Sequence, residues 1–334
     1  MNPATIIAGK LHRDFILPAS GQPQIDVPGG DLLYTASGSL IWQGEYGLLA
    51  RAGEDYPRRW LDQLQQLGVD TTGITILPEA IDLRNFMVYT ADLECHQTNP
   101  LAHFARLSLT LPKLLLGYQP PVPDPEVITH VQASSVRPTD IPPDYLDARL
   151  VHLCALEYAT QVRLISAFRE AGTGTVTLDP LGEYMQSEHW VKVNQLINGL
   201  TAFLPSEEDV RALFRGQSTD LVEMAQALAS NNCELVVVKR GAQGQLLHDG
   251  VSHKTWQVPA YPVQVADPTG VGASFCGGFL AGYHRTYDPL QAVLQGNISA
   301  SLKLEGSGVF HILESHPGLA QRRLEGLKES VRQL

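Results

Sequence analysis

Short runs of β-branched and aliphatic residues alternate with amphipathic stretches along the chain. The runs "TIIAG" (Thr5 to Gly9), "LVHLCAL" (Leu150 to Leu156) and "TVTLDP" (Thr175 to Pro180) have the length and composition of buried strands. Helical patterns lie between and after them, over Asp55 to Leu67, Thr160 to Ala171, Ser206 to Phe214, Leu221 to Ser230 and Gly318 to Leu334. Strand, helix, strand, repeated, predicts right-handed crossovers and a mostly parallel α/β sheet with helices on both faces. In such a sheet a ligand binds beyond the carboxyl ends of the strands, where the strand order reverses. A late strand in "CELVVVKRGAQG" (Cys233 to Gly244) and the hairpin-like "QLLHDGVSHKTWQV" mark one edge of that crevice. The segment from Arg84 to Pro123 breaks the rhythm, because a strand-like "NFMVYTA" leads into a proline-rich stretch without clean periodicity. Excursions of this length are usually lids, binding loops or subunit contacts.

Length and composition narrow the possibilities. At 334 residues with 44% hydrophobic side chains, the chain has material for a large core and is read as one domain over residues 1–334, with an appendage. The formal charge of -11 would repel a phosphate backbone, and no basic run with interleaved aromatics occurs, so nucleic acid is excluded as a partner. No stretch reaches the length of a membrane span, and no charged-then-apolar leader opens the chain, so a cytoplasmic location is expected. Cys95, Cys154, Cys233 and Cys276 are scattered without CxxC or Cys/His spacing and are read as packing residues.

The stretch with the most chemistry is "DPTGVGASFCGGF", Asp267 to Phe279. Gly270 and Gly272 permit close backbone approach and positive φ, and the pattern turns helical from Ala273. The unpaired N–H groups of such a helix start suit a phosphate oxygen. A glycine turn by itself is equally explained as a tight strand-to-helix connection.

Beside the rest of the chain the stretch gains meaning, because the sequence resembles the PfkB/ribokinase-like carbohydrate kinases nearly from end to end. "DPTGVGASFCGG" is similar to that family's late signature, D-T-x-G-A-G-D followed by a small residue and F-x-x-G. "IIAGKLHRDF" looks like the opening strand with its sugar-contacting aspartate, here Asp14, and "PGGDLLYTASG" looks like the Gly-Gly sugar loop, with Gly29, Gly30 and the adjoining Asp31. "LLARAGEDYPRRWLDQLQQLGVDTTGI", "VTLDP" and "VVVKRGAQG" extend the match. The resemblance implies a ribokinase-like doubly wound sheet with a small β-rich lid, formed by residues near 10–35 and 84–123. It implies transfer of the ATP γ-phosphate to a hydroxyl of a sugar or nucleoside, with Gly270 and Gly272 as the anion hole. The nucleotide would lie along Lys239, Gly241 and Gly244 and near Asn297. Asp267 and the "SASLKLEGSG" segment fall where many members hold a monovalent cation such as K+, and the lid often makes a homodimer contact.

Three positions depart from the pattern. The aspartate that acts as general base is replaced by Ala273. The N-x-x-E motif that organises Mg2+ appears as Ser206-Glu207-Glu208-Asp209, which loses the amide and shortens the acid, leaving Asp209 and Glu208 as the candidates for Mg2+, and the usual substrate-binding asparagine falls at Tyr34. Acids in a helix's first turn also complement the macrodipole without any metal. The expectation is a phosphotransferase impaired at its base position; the alternative is an inactive member that binds nucleotide or sugar as a regulator or scaffold.

Overall fold

The computed structural model describes residues 3–122, 124–316 and 318–334; Pro123, the last residue of the predicted excursion, lies outside them. In chain order the strands are β1 (Thr5–Ala8), β2 (His12–Leu17), β3 (Gln24–Gly29), β4 (Tyr46–Gly53), β5 (Asp70–Leu77), β6 (Arg84–Tyr89), β7 (Cys95–His96), β8 (Leu150–Leu156), β9 (Thr175–Pro180), β10 (Ala202–Phe203), β11 (Leu235–Lys239), β12 (Gln245–Asp249), β13 (Lys254–Val258) and β14 (Arg332–Gln333). The α-helices are α1 (Asp31–Leu40), α2 (Arg58–Gln66), α3 (Pro100–Arg106), α4 (Tyr158–Glu170), α5 (Trp190–Ile197), α6 (Glu207–Leu213), α7 (Leu221–Ala229), α8 (Val271–Thr286), α9 (Pro289–Leu304) and α10 (Leu319–Lys328).

Among the described residues one sheet has ten strands in the order β14-β13-β12-β11-β10-β9-β8-β1-β4-β5. Strand β1 pairs in parallel with both β4 and β8, so the chain first winds outward through β4 and β5 and then returns on the other side through β8 to β11. The strand order therefore reverses at β1 and β8, where the twofold winding opens a crevice at the carboxyl ends. Because helices cover both faces, β4, one strand in from the β5 edge, is buried along its whole length. Alternate residues feed opposite cores: Ile7 and Val237 pack with α1, α8 and α9, whereas Ile6, Val236 and Val238 pack with α4 to α7. No helix among the described residues is long and apolar enough to cross a membrane.

The predicted strands at 150–156 and 175–180 form as expected. The closing helix is shorter than its pattern suggested, ending at Lys328, and the last residues pair as β14 against Trp256 and Gln257 of β13. An open sheet edge there outcompetes continued helix. The excursion contributes β6 and β7, which join β2 and β3 in a separate four-stranded sheet ordered β3-β2-β6-β7. That sheet has its own apolar centre of Phe15, Leu17, Phe86, Val88, Phe104, Leu115 and Tyr118.

Helix α8 meets α1 and α9 with almost no side-chain volume between backbones. A Cβ at Gly277 would lie 1.9 Å from the Thr35 carbonyl oxygen, one at Gly38 would lie 2.2 Å from that of Ser274, and one at Gly278 would lie 2.3 Å from Ser299 Oγ. Ser39 Oγ donates to the Gly277 carbonyl at 2.9 Å, which fixes the register of the α1 crossing. Gly277→Ala is expected to destabilise the fold by about 1–3 kcal/mol or more, since backbone rather than a movable side chain must give way. Urea unfolding of the variant against the parent chain measures it.

Candidate active site

Part of the expected set gathers around the turn into α8. Asp267, Gly270, Gly272 and Ala273 come from the turn into α8, and Asp31 opens α1. Gly270 adopts φ +70° and precedes a helix that has no side-chain cap, in contrast to α6, α7 and α9, which are capped by Ser206, Asp220 and Asp288. The Val271 amide donates to the Pro268 carbonyl at 3.2 Å and that of Ser274 to the Gly270 carbonyl at 2.9 Å, which leaves the Gly272 and Ala273 amides between them for another acceptor. Lys239 reaches this helix start from the end of β11, and its Nζ lies 3.6 Å from where a Cβ at Gly272 would stand. The ammonium is held by both oxygens of Asp179 at 2.7 Å. Burial alone would lower the Lys239 pKa, but Asp179 more than offsets this and keeps the lysine charged. Cys276, one turn along α8, donates to Asp179 at 3.4 Å and packs against this pair.

Asp14 is fully buried. Its carboxylate accepts hydrogen bonds from Tyr34 Oη at 3.3 Å and Asn85 Nδ2 at 3.2 Å. The Gly-Gly pair makes room for it: a Cβ at Gly29 would stand 1.9 Å from Asp14 Oδ2, and Gly30 takes φ +96° beneath the Lys10 carbonyl. Burial pushes the Asp14 carboxyl up to about 7, opposed by the bonds from Asn85 and Tyr34 and reinforced by Asp31 and Asp267. Asp31 is pushed up to about 6, first by burial and then by Asp179, with Lys239 and Lys10 pulling the other way. The Tyr34 ring packs flat on the glycine turn, so a Cβ at Gly270 would fall 2.1 Å from it.

The small sheet reaches the same turn. Thr269 Oγ1 donates to Tyr89 Oη of β6 at 3.1 Å, and the Ser20 amide donates to the Ala266 carbonyl at 3.3 Å. Behind the turn, Asp267 accepts from the Thr269 amide at 2.9 Å, and its second oxygen lies 3.7 Å from the ammonium of Lys303.

The remaining predicted residues are distributed less uniformly. Gly241, at φ +52°, has open space about it, and Gly244 lies tightly under the Val258 carbonyl. Asn297 is buried and its amide is fully engaged, donating to Gln245 at 2.7 Å and the Pro259 carbonyl at 2.9 Å and accepting from the Tyr261 amide at 3.0 Å. It fixes the loop after β13. Asp209 closes a capping box, with Oδ2 accepting from the Ser206 amide and hydroxyl, while Oδ1 faces Gly182. Glu208 is exposed on the same turn. Among the described residues no group of three or more His, Cys, Asp or Glu is arranged to hold a metal by itself. Sequence reasoning missed Asn85, Tyr89, Lys303 and the role of Asp179; for Asp179 a signal existed, an acid at the carboxyl end of a buried strand. Two surface clefts of about 400 and 390 Å³, one lined by Asp147 and Tyr287, the other by Arg13 and Arg84, lie apart from these residues.

Comparison with known proteins agrees with the fold. The profile of the pfkB family carbohydrate kinases matches residues 144–315. A cytidine kinase of Thermococcus kodakarensis is 26% identical over 283 residues, covering 84% of this chain and 88% of that protein. Among solved structures, a Burkholderia thailandensis nucleoside kinase in complex with inosine superposes with a TM-score of 0.70 at 16% identity, covering 97% of this chain and 98% of that one. A Vibrio cholerae fructokinase with bound fructose, ADP and calcium ion gives 0.69 at 21% identity, covering 98% and 99%.

The raised Asp14 carboxyl has a measurable consequence. The folded protein retains a proton that an unfolded aspartate, with a pKa of about 3.9, has released, so stability falls as pH rises through this interval to about 7. Replacing Asp14→Asn, whose amide still satisfies Asn85 and Tyr34, removes this term. Between pH 5 and pH 8 the parent is expected to lose about 2–3 kcal/mol relative to the variant, read by denaturant unfolding at each pH; parallel profiles would contradict the assignment.

Proposed function

Since the chain belongs to the pfkB family of carbohydrate kinases, we propose that it transfers the γ-phosphoryl group of ATP to a hydroxyl of a sugar or nucleoside. The observation that carries this reading is the Lys239 ammonium poised over Gly272 at the uncapped start of α8. Amides and a fixed cation at one point are what a transferring phosphoryl group requires, because its transition state is stabilised by position and charge more than by covalent chemistry. The nucleotide would run from this turn along Lys239, Gly241 and Gly244, with Asn297 acting at one remove by holding residues 259–261. Mg2+ usually takes one or two carboxylates and fills its remaining positions with phosphate and water. Asp209 suits that role, since its Oδ1 faces a glycine and only Oδ2 is spent on the cap, with the exposed Glu208 beside it. The ion would neutralise charge on the phosphate oxygens.

Asp14 and Asp31 would bind the acceptor's hydroxyls, with Gly29 and Gly30 shaping their seat. The small sheet would act as the lid, tied to the glycine turn through Tyr89, and the exposed Leu101, Leu107 and Leu116 of the excursion suit a lid-mediated homodimer. Ala273 supplies only a methyl group where a proton acceptor is needed, so turnover is slow. A second reading, binding without turnover, is favoured by Tyr34, whose ring covers Gly270 and whose hydroxyl already satisfies Asp14.

Restoring the acid separates the two. Ala273→Asp is expected to raise sugar- or nucleoside-dependent ADP formation by about 10²–10⁴-fold, the usual range for a positioned base. Thermal shift with Mg-ATP, cytidine, inosine and fructose accompanies it, and stabilisation by ligand is expected for parent and variant alike. Ligand stabilisation without any gain in ADP would select the binding reading; no stabilisation by any of these ligands would end both.

A further inference from the structure

The ammonium of Lys303 occupies a fully enclosed position behind the glycine turn. Lys303 and Asp267 are both wholly shielded from solvent. Lys303 Nζ donates to the Gly306 carbonyl at 2.8 Å and to the Asp267 carbonyl at 3.4 Å. It stands 3.7 Å from Asp267 Oδ2 and 5.6 Å from the centre of the Tyr34 ring. Among the described residues Asp267 Oδ2 has no hydrogen-bond partner, and Lys303 is the one cation paired with it. The shell is thus two carbonyl oxygens, one carboxylate and an aromatic face, the donor set that a monovalent cation without strong geometric demands would choose. An exchangeable K+ does not fit beside it, because two positive charges would share one dry carboxylate.

We propose that Lys303 is a tethered replacement for a monovalent cation: its ammonium fills the seat formed by Asp267 and Gly306, holds the turn that leads into Gly270, and leaves the protein without a K+ requirement at this position. Lys303 is in this sense a positioning residue, acting on the glycine turn through Asp267 and the Tyr34 ring. Burial lowers its pKa and Asp267 partly restores it, as expected for an ammonium whose charge depends on one buried counter-ion. Lysine serves here because its chain spans from the last turn of α9 to the turn before α8, supplying the charge without the entropy of capturing an ion.

The test uses the intact chain and needs no turnover, so its outcome is independent of whether the protein is an active kinase. Thermal unfolding is followed in KCl, NH4Cl and tetramethylammonium chloride at matched ionic strength for the parent, Lys303→Ala and Lys303→Met. The parent is expected to show the same Tm in all three salts. Lys303→Ala, which vacates the seat, is expected to be destabilised in tetramethylammonium chloride and to recover several degrees in KCl or NH4Cl. Lys303→Met, which fills the space without charge, is expected to be destabilised without recovery. A parent Tm raised specifically by K+ would overturn the proposal. So would a Lys303→Ala variant that responds equally to all three salts or fails to fold in every one.

Discussion

The backbone contact between α1 and α8 is the constraint on which the site depends. Glycines on both helices, Gly38 and Gly277, let each backbone rest against the other, and a single methyl group on either would meet a carbonyl oxygen. Hydrogen bonds from Ser39 Oγ to the Gly277 carbonyl and from Ser274 Oγ to the Tyr34 carbonyl then lock the register at 2.9 and 3.2 Å. Once α1 is held there, Tyr34 in its first turn stands directly against the turn into α8, and Asp31 at the helix start feels the charges of Asp179 and Lys239. The third helix, α9, adds Lys303 behind the same turn, so three helices define the position of a few amides.

The charges gathered at this point are costly and are balanced in pairs. Asp179 faces Lys239 and Asp267 faces Lys303, while Asp14 has only neutral hydrogen-bond donors. A buried carboxylate without a cation is the least favourable member of such a set, which is why burial pushes Asp14 so far above an ordinary aspartate. Such a group becomes useful when a ligand brings hydroxyl donors to it. The arrangement separates an acidic floor, contributed by Asp14 and Asp31, from a cationic wall at Lys239.

Much of the architecture was legible in the sequence, because strand length and helical periodicity are local. "LVHLCAL" and "TVTLDP" became strands at the predicted residues, and Ser206 and Phe214 flank the helix read between them. The excursion at 84–123 stands out from the rhythm of the sequence, yet the pairing of its strand β6 with β2 rests on contacts distant in sequence, which periodicity does not carry. The same limit explains the site. Asp14, Gly29, Gly30, Gly270 and Gly272 carry local signatures, whereas Asn85, Tyr89 and Lys303 acquire meaning only from what the fold brings beside them. Lys303 sits in a helix whose pattern gives no sign that this lysine faces inward, and the hydrogen bonds by which Asn297 holds the 259–261 loop are likewise invisible in the sequence.

We propose that the Gly272 and Ala273 amides, with Lys239 beside them, form a seat for phosphate despite the methyl group at Ala273. A crystal structure with Mg2+ and a non-hydrolysable ATP analogue addresses it most directly. The terminal phosphate is expected within hydrogen-bond distance of the Gly272 and Ala273 amides, with the Lys239 ammonium beside it. A bound analogue whose phosphates lie elsewhere, with the Tyr34 ring still closed over Gly270 and the amides unliganded, would contradict it.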